Sequence, residues 1–176
     1  MSRKYMNDKW CVRCGKTSPT PYLKKNLKLL QRENYEEAQV IDIGCGNGRN
    51  TKFLMENGFK NCRAFDMVND FGEKMTLGHD TFPVVDNSVD VILANYILMF
   101  LDNEERKQVI TEIDRMSRDG CIFIMELYPA KDSYAKTKEE SIKMQKEIFD
   151  TLGWEKIRYS QERFIVLKKD EVKENL

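Results

Sequence analysis

Apolar positions along this chain follow two alternating rhythms. Short continuous runs read as buried strands: Val40, Ile41 and Ile43, then Lys60 to Phe65, Val89 to Ala94, and Cys121 to Leu127. Between them the spacing changes to that of a helix. Leu23, Leu27 and Leu30 share one face after Thr20-Pro21, a helix start expected to run to about Asn34. A second helix is expected from Arg49 to Asn57, ended by Gly58. A third carries Val109, Ile110, Ile113 and Met116, with a cap at Asp102 to Glu105 and a stop at Gly120. A fourth spans Ser141 to Leu152, with Ile142, Gln145 and Phe149 on one face. Trp154 to Tyr159 and Arg163 to Leu167 read as a closing hairpin. The rhythm weakens from Val68 to Gly78, where a short helix over Phe71 to Leu77 fits and little length remains for a third strand. Ile97 to Leu101 continues apolar and reads as core. Strands alternating with helices, closed by a hairpin, imply an α/β domain with a parallel sheet and one antiparallel strand.

Composition narrows this picture. The 176 residues suit one domain, read as a lead-in segment and helix over 1–35, a main domain over 36–168 and a charged, fraying tail over 169–176. Formal net charge is zero, so bulk electrostatics favour neither nucleic acid nor a membrane. The first thirty residues are nevertheless basic: Arg3, Lys4, Lys9, Arg13, Lys16, Lys24, Lys25 and Lys28 face one acid, Asp8. They read as a solvated helix face, or as a patch for an anionic substrate. There is no signal-peptide-like apolar region and no run of ~20 apolar residues. Five unevenly spaced cysteines do not make a disulfide framework, and a reduced cytoplasmic setting is expected. Cys11 and Cys14 form a C-x-x-C, but Cys45, Cys62, Cys121 and the lone His79 provide no second pair, so no metal site is expected.

The chemistry concentrates at Asp42 to Asn50. The first strand ends there in D-x-G-x-G-x-G, Asp42 to Gly48, and a helix follows. Glycine permits the sharp turn and leaves backbone open to a ligand. The dinucleotide pattern G-x-G-x-x-G fails because Arg49 stands where its last glycine belongs, and no Gly-Lys-Ser/Thr follows to make a P-loop. Asp66 closes the second strand ~20 residues beyond the turn, where nucleotide-binding units place an acid on ribose hydroxyls; the alternative is a turn-forming aspartate. Asn95-Tyr96 lies at a strand's carboxyl end, where open α/β sheets bind ligands.

This glycine turn resembles motif I of the class I S-adenosylmethionine (SAM) dependent methyltransferases. The resemblance covers residues 36 to 168. Gly46-Asn-Gly48-Arg49-Asn50 and Ile97 to Leu101 look most like the tellurite-resistance (TehB-like) and type 11/12 branch. It implies sheet order 3-2-1-4-5-7-6, with strand 7 antiparallel and helices on both faces. It implies SAM as cofactor, S-adenosylhomocysteine as product, and a loop that wraps the methionine half of SAM. Asp66 would hold the ribose. His79-Asp80-Thr81-Phe82-Pro83 resembles the stretch whose acid bonds the adenine amino group, which points to Asp80. The implied cofactor residues are Asp42, Gly44, Cys45, Gly46, Gly48, Arg49, Asn50, Asp66, Met67, Asp80, Thr81, Asn95 and Tyr96. Acceptor-lining candidates are Trp10, Arg49, Tyr96, Tyr128 and Tyr134, and no catalytic residue is assigned. Residues 128 to 138 hold no histidine or arginine, a departure from metalloid chemistry. The expected activity is direct methyl transfer to a small-molecule acceptor by a monomer or homodimer. RNA or protein methylation and a SAM-binding module without transferase activity are the alternatives. Tyr5 to Thr17 is expected to close over the site as a lid.

Overall fold

The computed structural model describes residues 17–68, 71–127, 138–160 and 163–168. Seven strands, β1 (Gln39–Ile43), β2 (Asn61–Asp66), β3 (Glu73–Lys74), β4 (Val89–Asn95), β5 (Ser117–Glu126), β6 (Glu155–Tyr159) and β7 (Arg163–Leu167), form one sheet in the order β3-β2-β1-β4-β5-β7-β6. β7 runs antiparallel to both β5 and β6, and the remaining pairs are parallel. Four helices accompany it: α1 (Pro21–Leu30), α2 (Arg49–Glu56), α3 (Asn103–Met116) and α4 (Lys138–Leu152). This is the strand order, with an antiparallel β7, that the resemblance implied.

Side chains alternate across each strand, so every central strand feeds two cores. Ile41, Ile43, Ile92, Ala94, Phe123, Met125 and Val166 face α3 and α4, meeting Val109, Ile113, Met144 and Ile148. Val40, Val91, Leu93, Ile122, Ile124 and Ile165 face the other way, onto Leu23 and Leu30 of α1 and Leu54 of α2. Burying a leucine such as Leu23 or Leu54 completely contributes about 1.5–3 kcal/mol. Asp42 shares the second face with Val40, and its carboxylate therefore enters a hydrophobic layer.

Several element bounds differ from the sequence reading, each for a local reason. α1 ends at Leu30 rather than near Asn34, because Gln31 leaves helical geometry and Asn34 takes a left-handed turn into the short 3-10 helix Tyr35–Glu37. The expected helix over Phe71 to Leu77 is replaced by β3, whose Glu73 pairs with Phe65 and is gripped by the Arg63 guanidinium through Glu73 Oε1 at 2.7 Å. Gly120 does not stop α3. The helix ends at Met116, and Ser117 turns extended and pairs directly with Val89. Gly120 instead sits in the bulge where the β4–β5 register shifts between Val89 and Val91. On α4 the inward positions are Met144, Gln145 and Ile148, whereas Ile142 is exposed. Lys24, Lys25 and Lys28 lie on the exposed side of α1. No helix among the described residues is long and apolar enough to cross a membrane.

Candidate functional site

β1, β2, β4 and β5 all end at the same edge of the sheet, and the glycine loop crosses that edge. The loop leaves β1 by donating the Gly44 and Cys45 N–H groups to the Phe65 carbonyl, at 2.8 and 3.2 Å. Gly44, Gly46 and Gly48 all take positive φ, at 70°, 55° and 74°, a region that disfavours any Cβ. Packing adds a second reason at two of them. A Cβ on Gly44 would lie 2.5 Å from Ile97 Cγ1, and one on Gly48 would lie 2.1 Å from the Phe71 ring. The space beside these two glycines is thus filled by the protein itself.

Asp66 braces the loop. Its Oδ2 accepts the Gly46 N–H at 2.8 Å and its Oδ1 accepts the Val68 N–H at 3.0 Å. Each carboxylate oxygen keeps a further lone pair for another donor. Asp42 lies behind the loop, buried, and accepts the Thr51 hydroxyl at 2.6 Å. Burial pushes its carboxyl up to about 7, with the neighbouring Asp66 charge adding and the Thr51 bond opposing. Cys45 is buried, donates its thiol to the Phe71 carbonyl at 3.1 Å, and is held far above the ordinary thiol range by burial. It is therefore inert as a nucleophile. Arg49 opens α2 half-exposed, its N–H on Asn47 Oδ1 at 3.3 Å. Met67, half-buried, follows Asp66 on the same rim.

A buried polar chain links this loop to the neighbouring strand ends. Asn50 Oδ1 accepts the Thr20 N–H at 2.9 Å, and Thr20 Oγ1 both caps α1 and accepts from Asn95 Nδ2 at 3.4 Å. Asn95 Nδ2 also donates to Glu126 Oε1 at 2.6 Å. The other Glu126 oxygen accepts the Tyr96 hydroxyl at 2.9 Å, and Tyr96 N–H donates to the Glu126 carbonyl at 2.8 Å. Asn95 Oδ1 is buried without a protein partner among the described residues. Tyr96 sits in the left-handed region at φ 62°, a strain that bulky residues keep only where surroundings impose it. Burial first, and the Glu126 charge next, drive its phenol well above the ordinary tyrosine value.

Asp42, the three glycines, Cys45, Arg49, Asn50, Asp66, Met67, Asn95 and Tyr96 therefore line one edge. Asp80 and Thr81 belong to a separate exposed turn. Asp80 Oδ2 accepts the Thr76 N–H at 2.6 Å, and the adjoining His79 and Phe82 are tied to Glu105 and Glu112 of α3. Trp10, Tyr128, Tyr134, the Cys11/Cys14 pair and the lid over Tyr5 to Thr17 fall outside the described residues, Thr17 excepted. Among the described residues no group of acids, cysteines and histidine is placed to hold a metal ion. Glu126 was missed by the sequence reading. Its signal was a single acid inside the apolar run Cys121 to Leu127, where burial without a partner is costly.

The model of the methyltransferase domain family matches residues 41–125, from β1 almost to the end of β5. Residues 41–125 are thus similar to a methyltransferase domain, and the strand order is that of the class I SAM-dependent methyltransferase fold. A search of curated protein sequences finds no match. Among solved structures it is similar to TehB from Haemophilus influenzae, with TM-score 0.66 and 16% identity, over 92% of this chain and 66% of that one. It is similar to the 1,6-didemethyltoxoflavin-N1-methyltransferase of Burkholderia thailandensis, solved with 1,6-didemethyltoxoflavin and S-adenosylhomocysteine, at TM-score 0.62 and 16% identity, over 96% and 82%. A SAM-dependent methyltransferase from Aquifex aeolicus gives TM-score 0.59 and 17% identity, over 84% and 92%. At these identities the likeness is one of fold.

Proposed function

We propose that the chain binds SAM along the glycine loop and catalyses transfer of its methyl group to a small-molecule acceptor. The observation that carries this reading is Asp66. Its carboxylate is fixed by the Gly46 and Val68 N–H groups at the end of β2 and retains acceptor capacity on both oxygens. A fixed carboxylate of that kind fits the two hydroxyls of a ribose. The buried, unpartnered Asn95 Oδ1 fits a hydrogen-bond donor on the ligand. Arg49 in place of the last dinucleotide glycine disfavours NAD.

SAM, when bound, supplies a methyl group on a cationic sulfur, so the protein need not activate the leaving group. The chain's own contribution is alignment, through the Asp66-braced loop and the strained Tyr96 corner, an effect that reaches ~7–11 kcal/mol in well-oriented reactions. Support for a small acceptor comes from the toxoflavin-precursor enzyme among the similar structures. Thermal unfolding tests the cofactor. Both SAM and S-adenosylhomocysteine at ~100 times their Kd are expected to add about 2.7 kcal/mol, a rise of roughly 5–10 °C, with no rise from NAD or ATP. A shift with NAD and none with SAM would contradict the reading.

A further inference from the structure

Glu126 is a carboxylate that the fold does not need at that place. It ends β5 with a side chain about 1% exposed, directly after the buried apolar run Cys121 to Met125. An acid so placed costs several kcal/mol unless bonded, and here each oxygen has a donor. Asn95 Nδ2 holds one at 2.6 Å and the Tyr96 hydroxyl holds the other at 2.9 Å. Arg163 Nε lies 4.0 Å from the same Oε2 and supplies a counter-charge. Its guanidinium also lies over the Tyr22 ring, at 5.5 Å.

The Tyr96 end of this pair reaches the ligand-binding edge. Tyr96 is only half-buried, and its neighbour Ile97 packs directly on Gly44 of the glycine loop. The backbone is held in a left-handed conformation at this residue, which turns the chain back so that Tyr96 N–H meets the Glu126 carbonyl. The tyrosine is thus fixed twice to one glutamate, through its backbone and through its hydroxyl. A phenol can donate its proton to Glu126 and still accept at the same oxygen.

Resting on the methyltransferase reading, we infer that Tyr96 and Glu126 form a proton relay for an acceptor whose nucleophilic atom is a neutral O–H or N–H group. The acceptor's lone pair forms the new bond to the methyl carbon as the carbon–sulfur bond breaks, its electron pair going to sulfur and leaving neutral S-adenosylhomocysteine. The acceptor's proton passes to the Tyr96 oxygen while the Tyr96 proton passes to Glu126. After product leaves, the proton returns through Tyr96 to water. Tyr96 is the catalytic residue, and Glu126 is the proton acceptor behind it. Thiolates and soft anions need no such relay, so the pair points to the neutral O–H and N–H groups as the acceptor class.

The test uses the full chain and three variants, Y96F, E126Q and E126D. Titration with S-adenosylhomocysteine first establishes the cofactor site, and no binding by the wild type would overturn the methyltransferase reading and this one with it. Methyl-labelled SAM is then supplied with a phenol, a hydroxy-heteroaromatic, an aniline, a thiol and iodide. The expected result is transfer to an O–H or N–H acceptor. In E126Q and Y96F kcat at saturating SAM should fall about 10²–10⁴-fold, as for loss of a general base, with E126D partly restored. A readout without turnover is ¹³C NMR of protein labelled at tyrosine Cζ, with Y96F giving the assignment. Burial and the Glu126 charge hold Tyr96 above the ordinary tyrosine value, and E126Q should lower its ionisation only in part, because burial remains. Transfer confined to the thiol or iodide, transfer to no O–H or N–H acceptor, full kcat in E126Q, or an unmoved Tyr96 signal would each overturn the relay.

Discussion

Asp42 is the residue whose environment most opposes its charge. It shares a sheet face with Val40, is almost fully buried, and has its carboxyl pushed up to about 7 from an ordinary 3.8. A folded-state value above the unfolded one means that the native state binds the proton more tightly. That contribution is complete below the unfolded value and is lost as pH rises through about 7. Asp42→Asn keeps an oxygen for the Thr51 hydroxyl and removes the titration. Relative to wild type, the variant is expected to gain unfolding free energy between about pH 4 and about pH 7 and to level off above, read from urea melts without ligand. A constant difference would show that Asp42 is not strained by its charge. The glycines and Asp66 were legible because few residue types meet their backbone and acceptor demands at that spacing. Glu126 was not, since a single acid in Cys121 to Leu127 reads equally as a strand's solvated end. Nor was the Tyr96 corner, because nothing in the side chain of tyrosine announces a positive φ.

Among the elements, those with both a periodic face and a capping signal were read well. α3 is the best case: Asp102 and Glu105 exchange both bonds of a capping box, and Val109, Ile110, Ile113 and Met116 are buried as spaced. Its end was misread because Gly120 competes poorly with the pairing of Ser117 to Val89, a contact invisible to local pattern. The stretch before β4 was hard to read because side chains from elsewhere hold it. Arg115 of α3 donates to the carbonyls of Phe82 and Val84, to Asp86, and to the buried Glu112, which in turn accepts the Phe82 N–H. Arg115→Met would leave Glu112 without its counter-charge. Because Arg115 is itself a quarter exposed, the expected loss is about 2 kcal/mol, below that of a fully buried pair. Equilibrium urea unfolding reads it, and a loss within ~0.5 kcal/mol would mark the cluster as surface decoration.

At the scale of the whole molecule, the alternation of strand and helix plus the terminal hairpin implied a parallel sheet with one antiparallel strand, and the resemblance supplied the strand order. A reduced sheet edge was expected because little chain remains between β2 and the 80s turn, but the two-residue β3 takes the place of the helix expected over Phe71 to Leu77. What gathers the polar groups is the parallel pairing itself. Ile43 stands opposite Phe65, and Asp42 opposite Leu93, so the ends of β2 and β4 must flank the loop that leaves β1. Calorimetric titration of S-adenosylhomocysteine into wild type and Asp66→Ala tests most directly whether this edge is a SAM site organised by Asp66. One site is expected in the wild type and an affinity roughly 10- to 150-fold weaker in the variant, the loss of a charge-assisted bond worth about 1.5–3 kcal/mol, with little change in melting temperature. Equal affinity in the two proteins, or no S-adenosylhomocysteine binding by a folded wild type, would contradict that reading.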